Sequence, residues 1–399
     1  MINIKKIYIH LSFITLYFCA PFIGTSQEYS KTIYNYIPGS CTIFFISHKE
    51  SAFFGNNEDW KNPFTKVWYE PAEDGKYGRV HFGFDNFQPQ GGMNEKGLCF
   101  DGFATTPKKV LKSLNKPNYK GNNFLDTIMA QCATVEEVLK EFDKYNLHFM
   151  ERAMFFYADA TGDAAIIEGD QIIRKEGRYQ IVTNFYQSEV KDRKIPCDRY
   201  KIADAMLNDA DRVSVDLCKR VLAATHAEGQ YPTVYSNIYD LKNRVVYLYH
   251  FHNFQNVVKI DLAEELKKGA RRMDLPALFP RIYIAEVFMN RKVNELEAQK
   301  AKYTHKVKTK ILDSYVGQYK VTIENGDDVI VTITRAGDKL FGQKQDKDEI
   351  ELHAVSNTEF MHVGLDENVK ITFVKDKAGK VNKMIVEVEG QTYTAERIE

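Results

Sequence analysis

The chain has 399 residues, of which 44% are hydrophobic and 27% are charged, and this length indicates two domains or one large domain with an appendage. Its 54 Lys and Arg residues balance 54 Asp and Glu residues, so the net charge gives no support for a nucleic-acid or polyanion partner. A locally basic face is compatible with this balance.

The first residues predict an exported protein. Lys5 and Lys6 form a positive segment, residues 7–23 form an apolar run, and small residues follow at positions 24–26, as at a site that signal peptidase cleaves. The alternative is a membrane anchor, but a spanning helix needs about 20 apolar residues and this run is shorter. We therefore expect a signal peptide at 1–26, a propeptide at 27–40, a periplasmic or secreted product, and no stable membrane insertion after signal removal.

Cysteine and histidine positions limit the metal and redox chemistry. After Cys19 leaves with the signal peptide, five cysteines remain, and this odd number predicts at least one unpaired thiol. The sequence has no Cys-x-x-Cys pair, which argues against a zinc ribbon or a thioredoxin-type site. His250 and His252 could form a metal pair on one strand face. Since no third ligand is evident, the expectation is no metal and no cofactor.

The segment from residue 41 to 280 alternates blocks of strands with blocks of helices. Strands are predicted at 41–47, 52–56, 80–84, 98–103, 153–158, 164–168, 171–174, 179–183, 233–239, 245–251 and 257–260, with turn chemistry at 91–97. Helices are predicted at 123–132, 199–207, 215–226 and 262–268. A further helix is predicted to begin after Thr134, which forms a capping box with Glu137. Such blocks indicate an α+β fold in which helices pack on antiparallel sheets.

The remaining chain has a different character. Residues 282–303 predict one long helix rich in Lys and Glu, and about seven or eight short alternating strands follow residue 311. Short strands at this spacing predict a small antiparallel barrel or sandwich. The expected organisation is therefore a body at 41–280, a connector helix at 281–305 and a C-terminal β domain at 306–399.

Cys41 stands at the start of the first predicted strand, directly after Gly39 and Ser40. One interpretation is a buried structural cysteine. In the other, the small residues before it allow the thiol to attack the preceding carbonyl, and hydrolysis of the resulting thioester makes Cys41 a new N-terminus. An α-amine has a pKa of about 7.7–8.0 and a thiol a pKa of about 8.5, so the amine can serve as the base for its own side chain.

Five motifs, in this order, carry a resemblance to a known family. They are Ser40-Cys41-Thr42, Gly55-Asn56-Asn57-Glu58-Asp59-Trp60, Gly92-Met93-Asn94-Glu95-Lys96-Gly97-Leu98, Val182-Thr183-Asn184 and Asp198-Arg199-Tyr200. The segment that holds them, about 41–279, resembles the N-terminal-nucleophile (Ntn) cysteine hydrolases of the choloylglycine hydrolase and penicillin V acylase family, and the related isopenicillin-type acyltransferases. The resemblance implies a four-layer αββα sandwich with the nucleophile at a strand end. Residues 315–319 and 337–340 are weakly similar to the lipocalin-like modules that end some bacterial serine hydrolases.

The resemblance also implies roles for four residues. Cys41 matches the nucleophile, and Asp59 matches the acid that binds the free α-amine. Asn184 matches the amide donor to the oxyanion. Arg199 matches a site arginine that tunes the thiolate, because a nearby cation lowers a thiol's pKa. Each of the last three also has an ordinary interpretation, as a turn cap, a strand-end asparagine and a surface arginine respectively.

Two positions depart from the family pattern. Asn56 stands where members that cleave bile salts have an arginine. Ala104 aligns close to an asparagine or tyrosine of other members, which leaves a backbone N–H to complete the oxyanion hole. Both are expected to lie in or near the substrate site.

The resemblance implies an exported, self-processing cysteine amidohydrolase. It would cleave linear amide C–N bonds of a small N-acyl substrate through an acyl-thioester on Cys41, and it could form a homo-oligomer. Two alternatives stay open: an acyltransferase that passes the acyl group to an amine, and a binding protein with an inert Ntn-like body.

Overall fold

Two antiparallel sheets and a closed barrel make up the fold. The computed structural model describes residues 41–398 apart from 111–112, 120–122, 193, 323–327, 346–347 and 389, and all of these belong to one compact unit. The expected signal peptide and propeptide, at 1–26 and 27–40, lie outside the described residues.

The first sheet contains the strand that follows Cys41. Its six strands run in the spatial order β10 (Tyr179–Thr183), β1 (Thr42–His48), β2 (Ser51–Asp59), β11 (Thr233–Asp240), β12 (Val245–His250) and β13 (Asn253–Asp261). On one side of β1, Thr42 pairs with Asn57 of β2. On its other side, Thr42 pairs with Thr183 of β10. The start of β1 is therefore flanked by the ends of two neighbouring strands.

The second sheet contains three strands that the sequence did not predict, β3, β5 and β14. Its eight strands run in the order β14 (Arg271–Asp274), β3 (Thr65–Glu70), β4 (Arg79–Phe84), β5 (Pro89–Asn94), β6 (Cys99–Ala104), β7 (Ala153–Ala158), β8 (Ala164–Glu168) and β9 (Gln171–Arg174). The turn predicted at 91–97 is wrong over residues 91–94, which belong to β5. A Cβ at Gly91 would lie 2.2 Å from Oδ2 of Asp101, so this glycine makes room for a carboxylate.

The first six helices follow the predicted positions, and the short α7 was not predicted. The helices are α1 (Phe124–Gln131), α2 (Val135–Lys144), α3 (Asp198–Asn208), α4 (Val215–Thr225), α5 (Leu262–Leu266), α6 (Tyr283–Lys300) and α7 (Thr309–Asp313), with 3₁₀ turns at His148–Glu151, Gln187–Glu189 and Leu275–Leu278. Thr134 caps α2 as predicted, since its Oγ1 accepts a hydrogen bond from the Glu137 N–H at 3.3 Å. Across the part of the chain that the structure describes, every helix is too short or too polar to span a membrane.

Three apolar clusters stack these elements into four layers. Phe45 and Phe54 of the first sheet pack with Phe82 and Phe156 of the second sheet between the two sheets. A second cluster joins α1 and α2 to the outer face of the second sheet, and a third joins α3 and α4 to the outer face of the first sheet. Each fully buried Leu or Phe stabilises this stack by about 1.5–3 kcal/mol. The predicted αββα sandwich is confirmed.

The C-terminal β domain is a closed barrel, as one of the two predicted forms. Its strands are β15 (Gly317–Val321), β16 (Val329–Ala336), β17 (Lys339–Lys344), β18 (Ile350–Ala354), β19 (Glu359–Val363), β20 (Asn368–Lys375), β21 (Val381–Val388) and β22 (Gln391–Arg397). Pairing of Tyr319 with Arg397 closes the barrel, and complete closure leaves no unpaired edge strand. The barrel has its own core, which includes the stacked rings of Tyr315 and Phe373.

A polar contact joins the barrel to the loop that follows β2. Asp366, between β19 and β20, accepts hydrogen bonds from Nε1 of Trp60 at 2.6 Å and from Nδ2 of Asn62 at 2.7 Å. On the helical side, Ala285 and Phe288 of α6 pack into the cluster between the two sheets. The predicted connector helix is thus also part of the core of the body.

Candidate active site

Cys41 lies immediately before β1 and is only 6% exposed. Its side chain packs with Ile43 on the face of the first sheet that is turned toward the second sheet. Because Thr42 pairs with Thr183, one further step along the antiparallel strands sets Asn184 opposite Cys41. Sheet register therefore brings together two of the predicted site residues.

Asp59 and Arg199 form an ion pair beside Cys41. Nη1 of Arg199 donates to Oδ2 of Asp59 at 2.8 Å and to Oγ1 of Thr42 at 2.9 Å. Thr233 Oγ1 donates to the other carboxylate oxygen at 2.5 Å. Asp59 is 1% exposed, and this burial raises its pKa, while the charge of Arg199 and the Thr233 hydroxyl act in the opposite direction. The guanidinium thus ties the start of β1 to the end of β2.

The electrostatic environment of the Cys41 thiol is acidic. Burial raises the pKa of the thiol well above its usual value, and the negative charges of Glu58, Asp59 and Asp101 add to this increase. A hydrogen bond with the Asp59 backbone opposes it. Arg199 is paired with Asp59 and so offsets one of the charges that raise the thiol's pKa. In the full-length chain, where the nitrogen of Cys41 is an amide, the thiol is protonated at neutral pH.

Two buried acids near Cys41 were missed by the sequence analysis. Glu58 and Asp101 are 4% and 0% exposed, and Glu58 lies opposite Tyr235 of β11. Burial raises the pKa of Glu58 to about 7, against hydrogen bonds with Asn56, Cys41 and Tyr235. Burial and the charge of Glu58 also raise the pKa of Asp101. Alternation of side chains along β2 was the signal that could have identified Glu58, because it puts Glu58 on the face opposite to that of Asp59.

The two positions that depart from the family lie in different sheets. Asn56 is fully buried on β2, and its Nδ2 lies 3.4 Å from Oε2 of Glu58. Ala104 ends β6 in the second sheet, where it pairs with Ala153. Asn56 is therefore part of the acidic cluster next to Cys41, a position that an arginine would change from neutral to cationic.

A cleft opens beside the residues that follow Asn184 and Arg199. It measures about 460 Å³ and is lined by Phe185, Gln187, Val190, Ile195, Tyr200 and Asp204. The rings of Phe185 and Tyr200 are 5.7 Å apart. A second cavity of about 170 Å³ is lined by Leu139, Phe142 and other residues of the α2 layer. Of these two, the first cleft contains Phe185 and Tyr200, which follow the predicted site residues Asn184 and Arg199 directly in the sequence.

Glu58 should make the uncut chain less stable as the pH rises. An unfolded Glu has a pKa of about 4.3 and the folded value is about 7, so between these values the folded chain binds more protons and the free energy of unfolding falls. We expect a fall on the order of 2 kcal/mol between pH 5 and pH 8, and a smaller fall in Glu58→Gln. Urea midpoints of full-length Cys41→Ala chains would measure this. Glu50→Gln, an exposed carboxyl, is the control. Equal falls in all three chains would show that Glu58 is already ionised at pH 5.

The structure does not place His250 and His252 together as a metal pair on one strand face. β12 ends at His250, and Phe251 has a φ of 55°, a left-handed conformation that breaks the alternation of side chains. The ring of His250 packs on Phe279, whereas the ring of His252 lies 4.9 Å from that of His226. The prediction of an unpaired thiol is confirmed, because all five described cysteines are free.

Comparisons with known proteins match different parts of the chain. A family model described as "Domain of unknown function (DUF3471)" matches residues 301–397, and no curated protein matches the chain. Two solved structures of conjugated bile acid hydrolase from Clostridium perfringens are similar to it. One has 19% identity and a TM-score of 0.46, and the match covers 58% of this chain and 96% of that chain. The other has 18% identity and a TM-score of 0.47, and the match covers 59% of this chain and 97% of that chain. Penicillin V acylase from Agrobacterium tumefaciens is similar at 17% identity and a TM-score of 0.39, covering 59% of this chain and 91% of that chain. Both are enzymes of the family whose motifs this sequence resembles.

Proposed function

We propose that the chain is a self-processing cysteine amidohydrolase with Cys41 as its nucleophile. The observation that carries this proposal is the convergence of four segments at one end of the first sheet. Cys41 precedes β1, Asn184 lies opposite it after β10, and Asp59 at the end of β2 pairs with Arg199 at the start of α3. These are a thiol, an amide donor, a carboxylate and a cation, which together suit acyl transfer to sulfur.

The first reaction in this proposal is cleavage of the chain. The Cys41 sulfur attacks the Ser40 carbonyl, the C–N bond of that peptide breaks, and its nitrogen takes up the thiol proton to become a free amine. Water then hydrolyses the Ser40 thioester. The products are a Ser40 carboxylate and an N-terminal Cys41 with its thiol restored. In the mature enzyme the new amine adjoins Asp59, which as a carboxylate would orient it and favour its protonated form.

Turnover uses the same sulfur and the amine made by cleavage. The amine accepts the thiol proton while sulfur attacks the substrate amide carbonyl, and the side-chain amide of Asn184 donates to the resulting oxyanion. A donor of this type contributes about 10²–10³ in rate. The ammonium then protonates the leaving nitrogen, which departs as an amine and leaves an acyl-thioester on Cys41. Water attacks the thioester, assisted by the α-amine, and releases the acid.

We propose that the substrate binds in the cleft lined by the residues that follow Asn184 and Arg199 in the chain. Phe185, Val190 and Tyr200 form the apolar part of its lining, and Gln187 and Asp204 form a polar part; the apolar part suits the acyl group of a linear amide. Apolar surface removed from water contributes roughly 25 cal/mol per Å² to binding. We therefore assign the acyl part of the substrate, rather than its amine part, to this cleft.

A panel of N-acyl amides assayed with mature protein tests this function. It contains bile conjugates, penicillin V, acyl-homoserine lactones and fatty amides, and the products are followed by mass spectrometry with and without an added amine. We expect free acid in both conditions. Acyl transfer to the added amine in preference to water would identify an acyltransferase. Failure of both a thiol-directed probe at Cys41 and every substrate would point to the binding protein.

A further inference from the structure

A group of possible metal ligands lies at the end of α4, outside the residues used above. His226 is the C-terminal cap of α4, Glu228 follows it, and His252 comes just after β12. One ligand atom from each of the three residues lies within 4.8 Å of the others. Two imidazoles and a carboxylate at this spacing match the three protein ligands of zinc sites that keep a fourth position for water.

The hydrogen bonds of His226 orient its ring for this purpose. Its Nδ1 lies 2.6 Å from the Ala223 carbonyl, so Nδ1 is a donor and Nε2 is the nitrogen directed away from that carbonyl. Nε2 in turn lies 3.3 Å from Oε1 of Glu228. A backbone carbonyl that holds the remote ring nitrogen is the usual support of a metal-binding histidine.

His252 supplies the second observation. Its Nε2 is buried and has no hydrogen-bond partner among the residues that the structure describes. The ring also makes a hydrogen bond with the Ala227 backbone, and its centroid lies 4.9 Å from that of His226. A buried polar atom without a partner carries an energetic cost. A contact between His226 and Glu228 alone does not remove this cost, whereas a shared ion would.

We propose that His226, Glu228 and His252 bind one divalent transition-metal ion of the zinc type through Nε2 of each imidazole and the Glu228 carboxylate. The chain carries a contrasting group of the same residue types. Glu70, His81 and Asp126 also lie close together, but Arg79 forms ion pairs with both of those carboxylates. A cation already occupies that position, and the group at the end of α4 has no comparable arginine or lysine ion pair among the described residues.

The site adjoins the loop that positions Asp59. The Thr233 N–H donates to the Ala227 carbonyl at 2.9 Å, and the Ala227 N–H donates to the Thr233 hydroxyl at 2.8 Å. That hydroxyl is the group that donates to Asp59. The ion therefore holds residues 226–233 against the end of β12 and fixes the Thr233 hydroxyl on the Asp59 carboxylate.

Calorimetric titration with Zn²⁺ tests the site in the full-length chain, purified without a histidine tag and stripped with a chelator. We expect one Zn²⁺ per chain, unaffected by excess Mg²⁺, because imidazole favours transition metals. Glu228→Gln and His252→Gln should each weaken binding by about 100-fold or more. Zn²⁺ should also raise the melting temperature of the unaltered chain but not that of Glu228→Gln.

Two controls separate this site from other ligands. His48→Gln removes an exposed histidine at the end of β1 and should bind Zn²⁺ as the unaltered chain does. Cys41→Ala removes the candidate nucleophile and should also bind one ion. Because the Glu228 side chain is 76% exposed, Glu228→Gln should fold normally. Unchanged affinity in Glu228→Gln and His252→Gln, or no binding by the unaltered chain, would overturn the proposal.

Discussion

Cys41→Ala is expected to keep the residues before position 41 and to have no measurable amidase activity. Without the sulfur the Ser40–Cys41 bond has no internal nucleophile, so neither the free amine nor the acyl-thioester can form. Removal of a catalytic nucleophile has cost about 10⁶-fold in kcat elsewhere, and here the base is lost with it. Intact mass measurement identifies the N-terminus, and the same sample is assayed for activity.

Cys197→Ala is the matched control for this change. Cys197 is a partly exposed free thiol that immediately precedes α3, and its sulfur has no part in the proposed chemistry. Its alanine variant should be cleaved before Cys41 and remain active. A Cys41→Ala chain that starts at another residue and keeps its activity would contradict both the processing and the catalytic role.

Asp59→Asn should lower kcat/KM by about 10² or more and change its pH dependence. A carboxylate beside an amine favours the charged amine and raises its pKa, so the asparagine variant should show the amine ionisation of the free enzyme at lower pH. Loss of the carboxylate also removes the acidic partner of Arg199, which keeps its hydrogen bond to Thr42, and breaking a buried ion pair costs about 3–5 kcal/mol. Since the side chain of Arg199 is partly exposed, we expect less than this range.

The pH profile distinguishes a positioning carboxylate from a merely structural one. Asp198→Asn removes an exposed carboxylate that pairs with Lys201 one residue from Arg199, and it should leave both the rate and the profile unchanged. Circular dichroism and urea unfolding establish that Asp59→Asn is folded before its kinetics are compared. A folded Asp59→Asn enzyme with an unaltered pH profile would remove Asp59 from the mechanism.

Most of the fold could be predicted from local sequence patterns, and the errors of that prediction have physical causes. Strands such as β7 and β8 were predicted at their observed limits because apolar runs end at Gly and Asp turns. The edge strand β14 is a four-residue segment with three charged residues, so it has no apolar alternation to detect. At Gly91 the sequence suggested a turn, whereas the actual reason for a glycine is the Asp101 carboxylate on the next strand.

The residues of the candidate site that belong to sequence motifs were predictable. Those that only tertiary contacts bring to the site were not. Cys41, Asp59, Asn184 and Arg199 came from motifs, and the structure brings the last three to the start of β1. The acidity around the thiol depends on Asp101, which arrives from the second sheet. Strands β11 and β12 separate His226 from His252 in the sequence. Only folding brings their imidazole rings together.

The contact between Asp366 and the loop after β2 makes the C-terminal module a structural component of the catalytic end. The indole N–H of Trp60 and the amide of Asn62 both donate to this one carboxylate from the barrel, the Asn62 amide also donates to Asp85, and Trp60 is the next residue after Asp59. Truncating the gene before the barrel would therefore remove the Asp366 carboxylate from the segment that follows Asp59. Properties measured on the body alone would not represent the intact protein.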